Sequence, residues 1–164
     1  MSWRAMFRPG MRAYFVPLTA GVVLAVSAFL PWVVVADVRL KGVPEAPGLW
    51  IVGLGALAAV LATLSLITRK NSRHPLLVIG LTALAIMFLS WRIMPRNAGL
   101  RALTITQAYA IVENTPMRDA PRASVGTGIY VGLVSSAVLV VFGLTIVVKR
   151  VSQPYIAVET DDDV

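Results

Sequence analysis

Four long apolar runs occupy most of this 164-residue chain, at residues 13–36, 48–67, 75–94 and 127–148. Within these bounds the runs contain no Asp, Glu, Lys or His, and their single arginine is Arg92, near the end of the third run. About 20 residues of helix cross the roughly 30 Å hydrocarbon core of a bilayer. Lipid offers the backbone no hydrogen-bond partners, so such runs predict helices. The predicted fold class is all-α, an integral membrane bundle of four antiparallel transmembrane helices.

The segments between the runs predict a hairpin and one extra helix. Loose alternation of Val33, Val35, Val38 and Leu40 fits a short hairpin before the second run. In the external loop, residues 95–126, apolar side chains recur at helical spacing. They predict a short amphipathic helix at 98–112, lying on the membrane surface or over the bundle, with a plain loop as the alternative. Two prolines predict that residues 114–124 are irregular.

Composition agrees with a membrane protein and excludes several chemistries. Hydrophobic residues make up 57% of the chain and charged residues 14%, compared with about 25% charged residues in soluble domains. The net charge is +7, but the basic residues flank the apolar runs in short patches, which indicates lipid headgroups as partners and not nucleic acid. There is no cysteine, so thiolate catalysis and iron–sulfur clusters are excluded.

Basic residues also predict the orientation. Eight lie on one side of the predicted membrane and seven on the other. The eight are packed in short segments against helix ends, so both termini are predicted to be cytoplasmic. The N-terminal run is longer than the apolar core of a signal peptide, so we expect it to be retained. Residues 1–150 then form one membrane domain, and residues 151–164 an acidic cytoplasmic tail.

The sequence shows no catalytic, cofactor-binding or metal site. Mid-span ionisable side chains, which mark proton-coupled transport, are missing from the runs. The sole histidine, His74, stands at a predicted helix start beside Arg73 and Pro75, without carboxylates near it in sequence. No phosphate-binding glycine loop and no nucleophile–base pair can be identified. We therefore expect no enzymatic activity and no cofactor.

Small residues at four-residue intervals predict close helix packing. The fourth run carries Gly128, Gly132 and Ser136, and the second carries Gly55 and Ala59. Such spacing lets two helix backbones approach closely in lipid. The residues serve either the packing of this bundle or an interface with a partner.

Tryptophans near the ends of the runs predict anchoring at the membrane surface. Trp32, Trp50 and Trp91 lie at or near such ends, and Arg92 follows Trp91. Indole rings favour the headgroup level, and arginine side chains extend toward it. We expect these four residues to be interfacial anchors.

One corner of the sequence resembles a known family. Trp32, followed by Gly48, Leu49 and Trp50, is similar to the W…GLW pattern of the claudin-type four-helix proteins. In that family two cysteines follow and the first external loop continues into a sheet, whereas here the cysteines are absent and the second run begins at once. The resemblance implies a four-span shape but no paracellular barrier. A second pattern consists of Leu30-Pro31-Trp32, then Gly48 and Trp50, and later Gly126, Gly128 and Tyr130. It resembles uncharacterised small bacterial inner-membrane proteins, which implies a location in a bacterial inner membrane and no activity.

Two functions fit these observations. The first is a non-catalytic accessory or scaffolding subunit that packs against a larger membrane complex, for example a respiratory or photosynthetic one. Its partners are membrane lipids and other membrane subunits, or a second copy of the chain. The alternative is a small channel, solute carrier or lipid-handling protein. A polar path would then be built from hydroxyl side chains: Thr19, Ser27, Thr63, Ser65, Thr82, Ser90, Ser135 and Ser136.

Overall fold

A computed structural model describes residues 13–68, 73–116, 119 and 121–151. The helices are α1 (Phe15–Ser27), α2 (Ala46–Thr68), α3 (Arg73–Val112) and α4 (Thr127–Val151). The strands are β1 (Pro31–Val35), β2 (Val38–Lys41) and β3 (Ala123–Val125). The predictions made for the basic N-terminal segment and for the acidic tail after Val151 lie outside the described residues.

Three of the helices are long and apolar enough to cross a membrane. These segments are Ala46–Thr68, His74–Val112 and Thr127–Thr145. The bounds of α2 and α4 lie close to those of the predicted runs 48–67 and 127–148. The structure thus confirms a mainly helical chain, and three of the four predicted spans have the length and composition to cross a membrane.

The first apolar run does not form a single helix. α1 contains 13 residues, a length of about 20 Å, and the chain then turns and enters β1 at Pro31. The prediction of one helix over 13–36 is therefore wrong for its second half. Pro31 has no backbone N–H for a helix, and the following β-branched valines favour a strand when partner strands are present.

A small antiparallel sheet lies beyond the end of α1 and makes the all-α prediction incomplete. The strand order is β2-β1-β3. β1 and β2 form the predicted hairpin, with Val35 paired to Val38 and Val33 to Leu40. β3 pairs with the other edge of β1, although part of it lies in a segment predicted to be irregular. Because β1 follows α1 and β3 precedes α4, the sheet defines one end of the molecule, the sheet end.

α3 is one continuous helix of 40 residues, about 60 Å long. The predicted division into a span at 75–94 and a separate helix at 98–112 is therefore wrong. Pro95 lies inside the helix, where it costs one hydrogen bond but does not end the helix. α3 contacts β1 and β3, and after the proline Gly99 lies beside Ala123 of β3, so tertiary contacts support the helix beyond the proline. Helical structure within 98–112 is confirmed, as an extension of α3 and not as a separate surface helix.

The helices pack in the order α1, α2, α3, α4 around the bundle. The most extensive contacts join α1 to α2, α3 to α4, and α1 to α4, whereas α2 and α3 meet over a smaller area. The core between them is apolar and includes Leu24, Ile51, Met87 and Leu139. This uneven pairing of the helices determines where the molecule is open.

Candidate functional site

An open cleft separates α2 from α3 near the sheet end. We call it the apolar cleft; it has a volume of about 560 Å³. On α2 it is lined by Pro47 and Trp50, and on α3 by Thr82, Ile86, Ser90 and Met94. The four α3 residues recur every fourth position, so one face of the helix forms that wall. The volume lies within the range of about 300–1,000 Å³ that is usual for ligand pockets.

Glycines explain why the space opens between α2 and α3. A Cβ atom at Gly55 of α2 would lie 2.6 Å from the backbone nitrogen of Ala25 in α1. A Cβ atom at Gly80 of α3 would lie 2.9 Å from the backbone nitrogen of Val140 in α4. Glycine thus lets α2 approach α1, and α3 approach α4, to backbone contact. The two pairs are close within themselves, and the gap is left between them.

A second cleft lies between the sheet and the extension of α3. We call it the sheet cleft; it has a volume of about 810 Å³. Its helix wall is formed by residues at helical spacing: Met94, Asn97, Ala98, Arg101 and Ile105. Its sheet wall includes the two cross-strand pairs Val33–Leu40 and Val35–Val38. Paired residues of an antiparallel sheet share one face, so this face of the sheet presents an apolar surface to α3.

The two clefts adjoin at Pro47, Ile93 and Met94, which line both of them. Some apolar side chains that line the sheet cleft are largely exposed: Val38 is 60% exposed and Ile105 is 57% exposed. We call the two clefts together the groove. It runs along one face of α3 from Thr82 to Thr106.

Charged side chains occur only in the sheet-cleft part of this lining. Arg101 belongs to the helix wall, and Arg39 and Lys41 of the edge strand β2 line the cleft beside it. Glu45 is the single carboxylate of the lining. Within the part of the chain that the structure describes, none of the three cations forms an ion pair. The groove is therefore apolar at one end and basic at the other.

The predicted small-residue stripes lie inside the bundle. A Cβ atom at Gly128 would lie 2.7 Å from Cδ1 of Trp32, and one at Gly132 would be 2.9 Å from the sulfur of Met87. Ser136 is fully buried. On α2, Gly55 faces α1, and the backbone nitrogen of Ala59 would lie 2.9 Å from a Cβ atom at Gly21. Gly128, Gly132, Gly55 and Ala59 thus contact other segments of this same chain, and Ser136 is buried within it.

Trp32 is not an interfacial anchor. Its side chain has no exposed surface, and its Nε1–H donates a hydrogen bond to the carbonyl of Ser27 at 2.9 Å. Gly42 and Gly128 pack against its ring. The prediction from its position near a run end is therefore wrong, because the sheet and the start of α4 enclose the indole. Of the claudin-like corner, Trp32 and Gly48 are buried, whereas Leu49 and Trp50 are exposed.

The other predicted anchors remain accessible. Trp50 is 66% exposed and lines the apolar cleft. The guanidinium of Arg92 lies 5.9 Å from the ring centroid of Trp91, within reach of a cation–π contact. Phe88 adds a second ring beside Trp91, at a centroid distance of 5.7 Å.

The hydroxyl side chains of the predicted polar path lie at both exposed and buried positions. Thr19 and Thr63 lie on exposed faces of their helices and donate to backbone carbonyls of their own helices. The buried Ser135 and Ser136 also donate within α4. Only Thr82 and Ser90 of the eight predicted residues line the apolar cleft. Satisfied hydroxyls on separate faces do not favour the conduction of a polar solute.

Sequence reasoning missed the groove. Arg39, Lys41 and Arg101 entered the prediction only as charges that orient the chain. They come together because the hairpin folds toward α3, about 60 residues later in the chain, and no local spacing signals that contact. Among the described residues, no three His, Cys, Asp or Glu side chains stand close enough to hold a metal ion.

Fold and groove together define the class of molecule: a mainly helical protein with three helices long and apolar enough to cross a membrane, and an open groove that is apolar at one end and basic at the other. Comparison with known proteins adds no family, because no family model, curated protein or solved structure matches this chain.

Proposed function

We propose that this chain is a non-catalytic, lipid-handling membrane protein that binds the hydrocarbon chain of a membrane amphiphile in the groove. The observation that carries the proposal is the apolar cleft between α2 and α3, lined almost entirely by apolar side chains. Thr82, one of its two hydroxyl residues, donates to the carbonyl of Val78 at 2.9 Å, so that hydroxyl is already satisfied. A hydrocarbon chain has no polar groups, so it loses no hydrogen bonds when it enters this apolar cleft.

The proposal includes a membrane arrangement. α1 is the fourth spanning element, because it is apolar and packs against both α2 and α4. Both termini lie on the cytoplasmic side of a bacterial inner membrane, and the sheet end lies outside. The apolar cleft then opens sideways into the bilayer, where lipid chains enter it without crossing water.

Blocking the apolar cleft should reduce lipid labelling. We expect Thr82→Phe to lower photo-crosslinking by a lipid with a diazirine in its acyl chain by several-fold, because the phenyl ring occupies the cleft. The protein is reconstituted in vesicles, irradiated, and the label is located by mass spectrometry of peptides from α2 and α3.

Thr63→Phe is the matched control for this experiment. Thr63 is also exposed and donates to the carbonyl four residues earlier, at 2.8 Å, but it does not line the apolar cleft. Labelling of the wild type at Trp50 or Ser90 that persists in Thr63→Phe and falls in Thr82→Phe supports the proposal. Equal labelling of all three proteins at these peptides would refute it.

A second candidate is the accessory subunit of a larger membrane complex. The observation that favours it is the far end of α3, where Ile111 is 81% exposed and Val112 is 82% exposed. An apolar helix end that the described residues leave uncovered is suited to contact another membrane subunit.

The accessory role predicts loss of co-migration when that end is made polar. We expect the double substitution Ile111→Glu and Val112→Glu to release the protein from a larger band on a native gel after mild detergent extraction. Gln107→Glu, also at an exposed position of α3, should leave the band unchanged. Substitution of Gly128 or Gly132 does not test docking, since both glycines are buried in the bundle. Migration of the wild type as a monomer would exclude this candidate.

A further inference from the structure

We infer that the amphiphile carries an anionic, phosphate-class headgroup, that Arg101 holds it at the sheet end of the groove, and that Arg39 and Lys41 add positive charge at the rim. This inference rests on the proposed function, because it assigns the headgroup of the molecule whose chain the apolar cleft takes. It goes beyond that function by naming the chemistry that the site selects.

Arg101 lies on the face of α3 that lines both clefts. Met94, Ala98 and Arg101 are spaced by four and three residues, so their side chains form one stripe. Side chains of a helix also tilt toward its N-terminus. This tilt favours a position of the Arg101 guanidinium back along the helix, toward Asn97 and the junction with the apolar cleft. A headgroup whose chain lies in that cleft meets this guanidinium at its mouth.

The edge strand β2 adds the other two cations. By strand alternation, Val38 and Leu40 share the face that lines the sheet cleft with Val33 and Val35, and Arg39 and Lys41 leave β2 on its other face. β2 is an edge strand, so these two basic residues stand at the rim of the cleft. They add positive charge beside Arg101 without filling the apolar floor.

The charge balance favours an anion. The lining of the sheet cleft holds three cations and one carboxylate, Glu45. Arg101 is exposed and forms no ion pair within the described residues, so its five N–H donors remain available to a ligand. A guanidinium matches the oxygens of a phosphate with two parallel hydrogen bonds. A zwitterionic headgroup would bring an ammonium group into the same positive field.

The test compares two photoactivatable lipids with identical diazirine acyl chains, one phosphatidylglycerol and one phosphatidylcholine, in vesicles that hold the full chain. We expect the wild type to be labelled preferentially by phosphatidylglycerol. Arg101→Gln should lower that preference about fivefold, the size expected for one basic residue near an anionic headgroup. Arg96→Gln is the matched control: Arg96 is exposed on the same helix but does not line the sheet cleft.

Two triple variants test how much the three basic residues of the sheet cleft contribute to the preference for the anionic lipid. The triple variant Arg39→Gln, Lys41→Gln and Arg101→Gln should abolish the preference. The triple variant Arg92→Gln, Arg96→Gln and Arg122→Gln removes the same formal charge from exposed positions outside the groove lining and should keep it. Equal loss in both triples would show a diffuse surface charge and would overturn the assigned site.

The remaining outcomes separate this inference from the proposed function. Equal labelling of the wild type by both lipids, still lowered by Thr82→Phe, overturns the anionic headgroup and leaves chain binding intact. Absence of labelling by either lipid overturns both. The last experiment adds inorganic phosphate at millimolar concentration to the wild type with bound anionic lipid. If phosphate displaces the lipid, the ligand is the free anion, and the assignment of a lipid headgroup is overturned. Retention of the lipid supports the inference.

Discussion

Replacing Trp32 by alanine is expected to lower the free energy of unfolding by about 3–5 kcal/mol, the usual cost of truncating a buried aromatic side chain to alanine. The indole is fully buried where β1, the end of β2 and the start of α4 meet. Its removal leaves a cavity at this junction and also leaves the carbonyl of Ser27 without the indole donor. Both effects act in the same direction.

Trp50→Ala is the control for this prediction. Trp50 is 66% exposed, so its truncation should cost less than about 1 kcal/mol of stability. Unfolding is followed by far-UV circular dichroism in one detergent, because loss of a tryptophan alters fluorescence directly. If Trp32→Ala and Trp50→Ala lower the midpoint equally, Trp32 does not hold the sheet to the bundle.

Gly55→Leu should be the second strongly destabilising substitution. At Gly55 a Cβ atom would lie 2.6 Å from the nitrogen of Ala25 and 2.7 Å from the oxygen of Gly21. These are backbone atoms, so no side chain can rotate away and α1 must move from α2. We expect a loss of about 3 kcal/mol, at the upper end of the usual cost of overpacking.

Gly53→Leu provides a control in the same helix. No atom lies within 4 Å of a Cβ atom placed at Gly53, which is exposed. The leucine should therefore be neutral or stabilise the helix by up to about 1 kcal/mol, the difference in helix propensity. Thermal unfolding of both variants in the same detergent makes the comparison. A destabilised Gly53→Leu together with an unchanged Gly55→Leu would contradict the α1–α2 contact described above.

Gly55 and Gly80 connect the stability of the bundle with the proposed function. They bring α2 to α1 and α3 to α4, and the groove is the space that this pairing leaves. Small residues at the helix contacts therefore act on lipid binding indirectly, by setting the separation of the two helix pairs. Thr82 and Arg101 act on it directly, because their side chains line the groove.

Much of the helical framework could be predicted from local patterns. The runs at 48–67 and 127–148 became α2 and α4 with nearly the predicted bounds. The β1–β2 hairpin followed from alternation around Asp37. These predictions depend only on residues that are close in sequence, so hydropathy and spacing are sufficient for them.

The other elements depended on distant contacts. β3 is a strand of three residues, and it forms because β1 offers it an edge about 90 positions earlier in the chain. α3 continues past Pro95 because it contacts that sheet, with Gly99 beside Ala123 after the proline. α1 ends at Ser27 because the residues after it lead into β1, the central strand, which pairs with β2 on one side and with β3 on the other. None of these partners is visible in a local window of sequence.

The sequence by itself determined the class of protein, because apolar runs of this length must satisfy their backbone groups within helices if they enter lipid. It also determined the small-residue positions at which helices can approach. Only the tertiary structure decided that Trp32 is enclosed and that α2 and α3 stand apart. It also brought Arg101 beside the β1–β2 hairpin, which lies about 60 residues earlier in the sequence. Backbone hydrogen bonding is local and is encoded in short segments, whereas a groove is the space between segments that pack elsewhere.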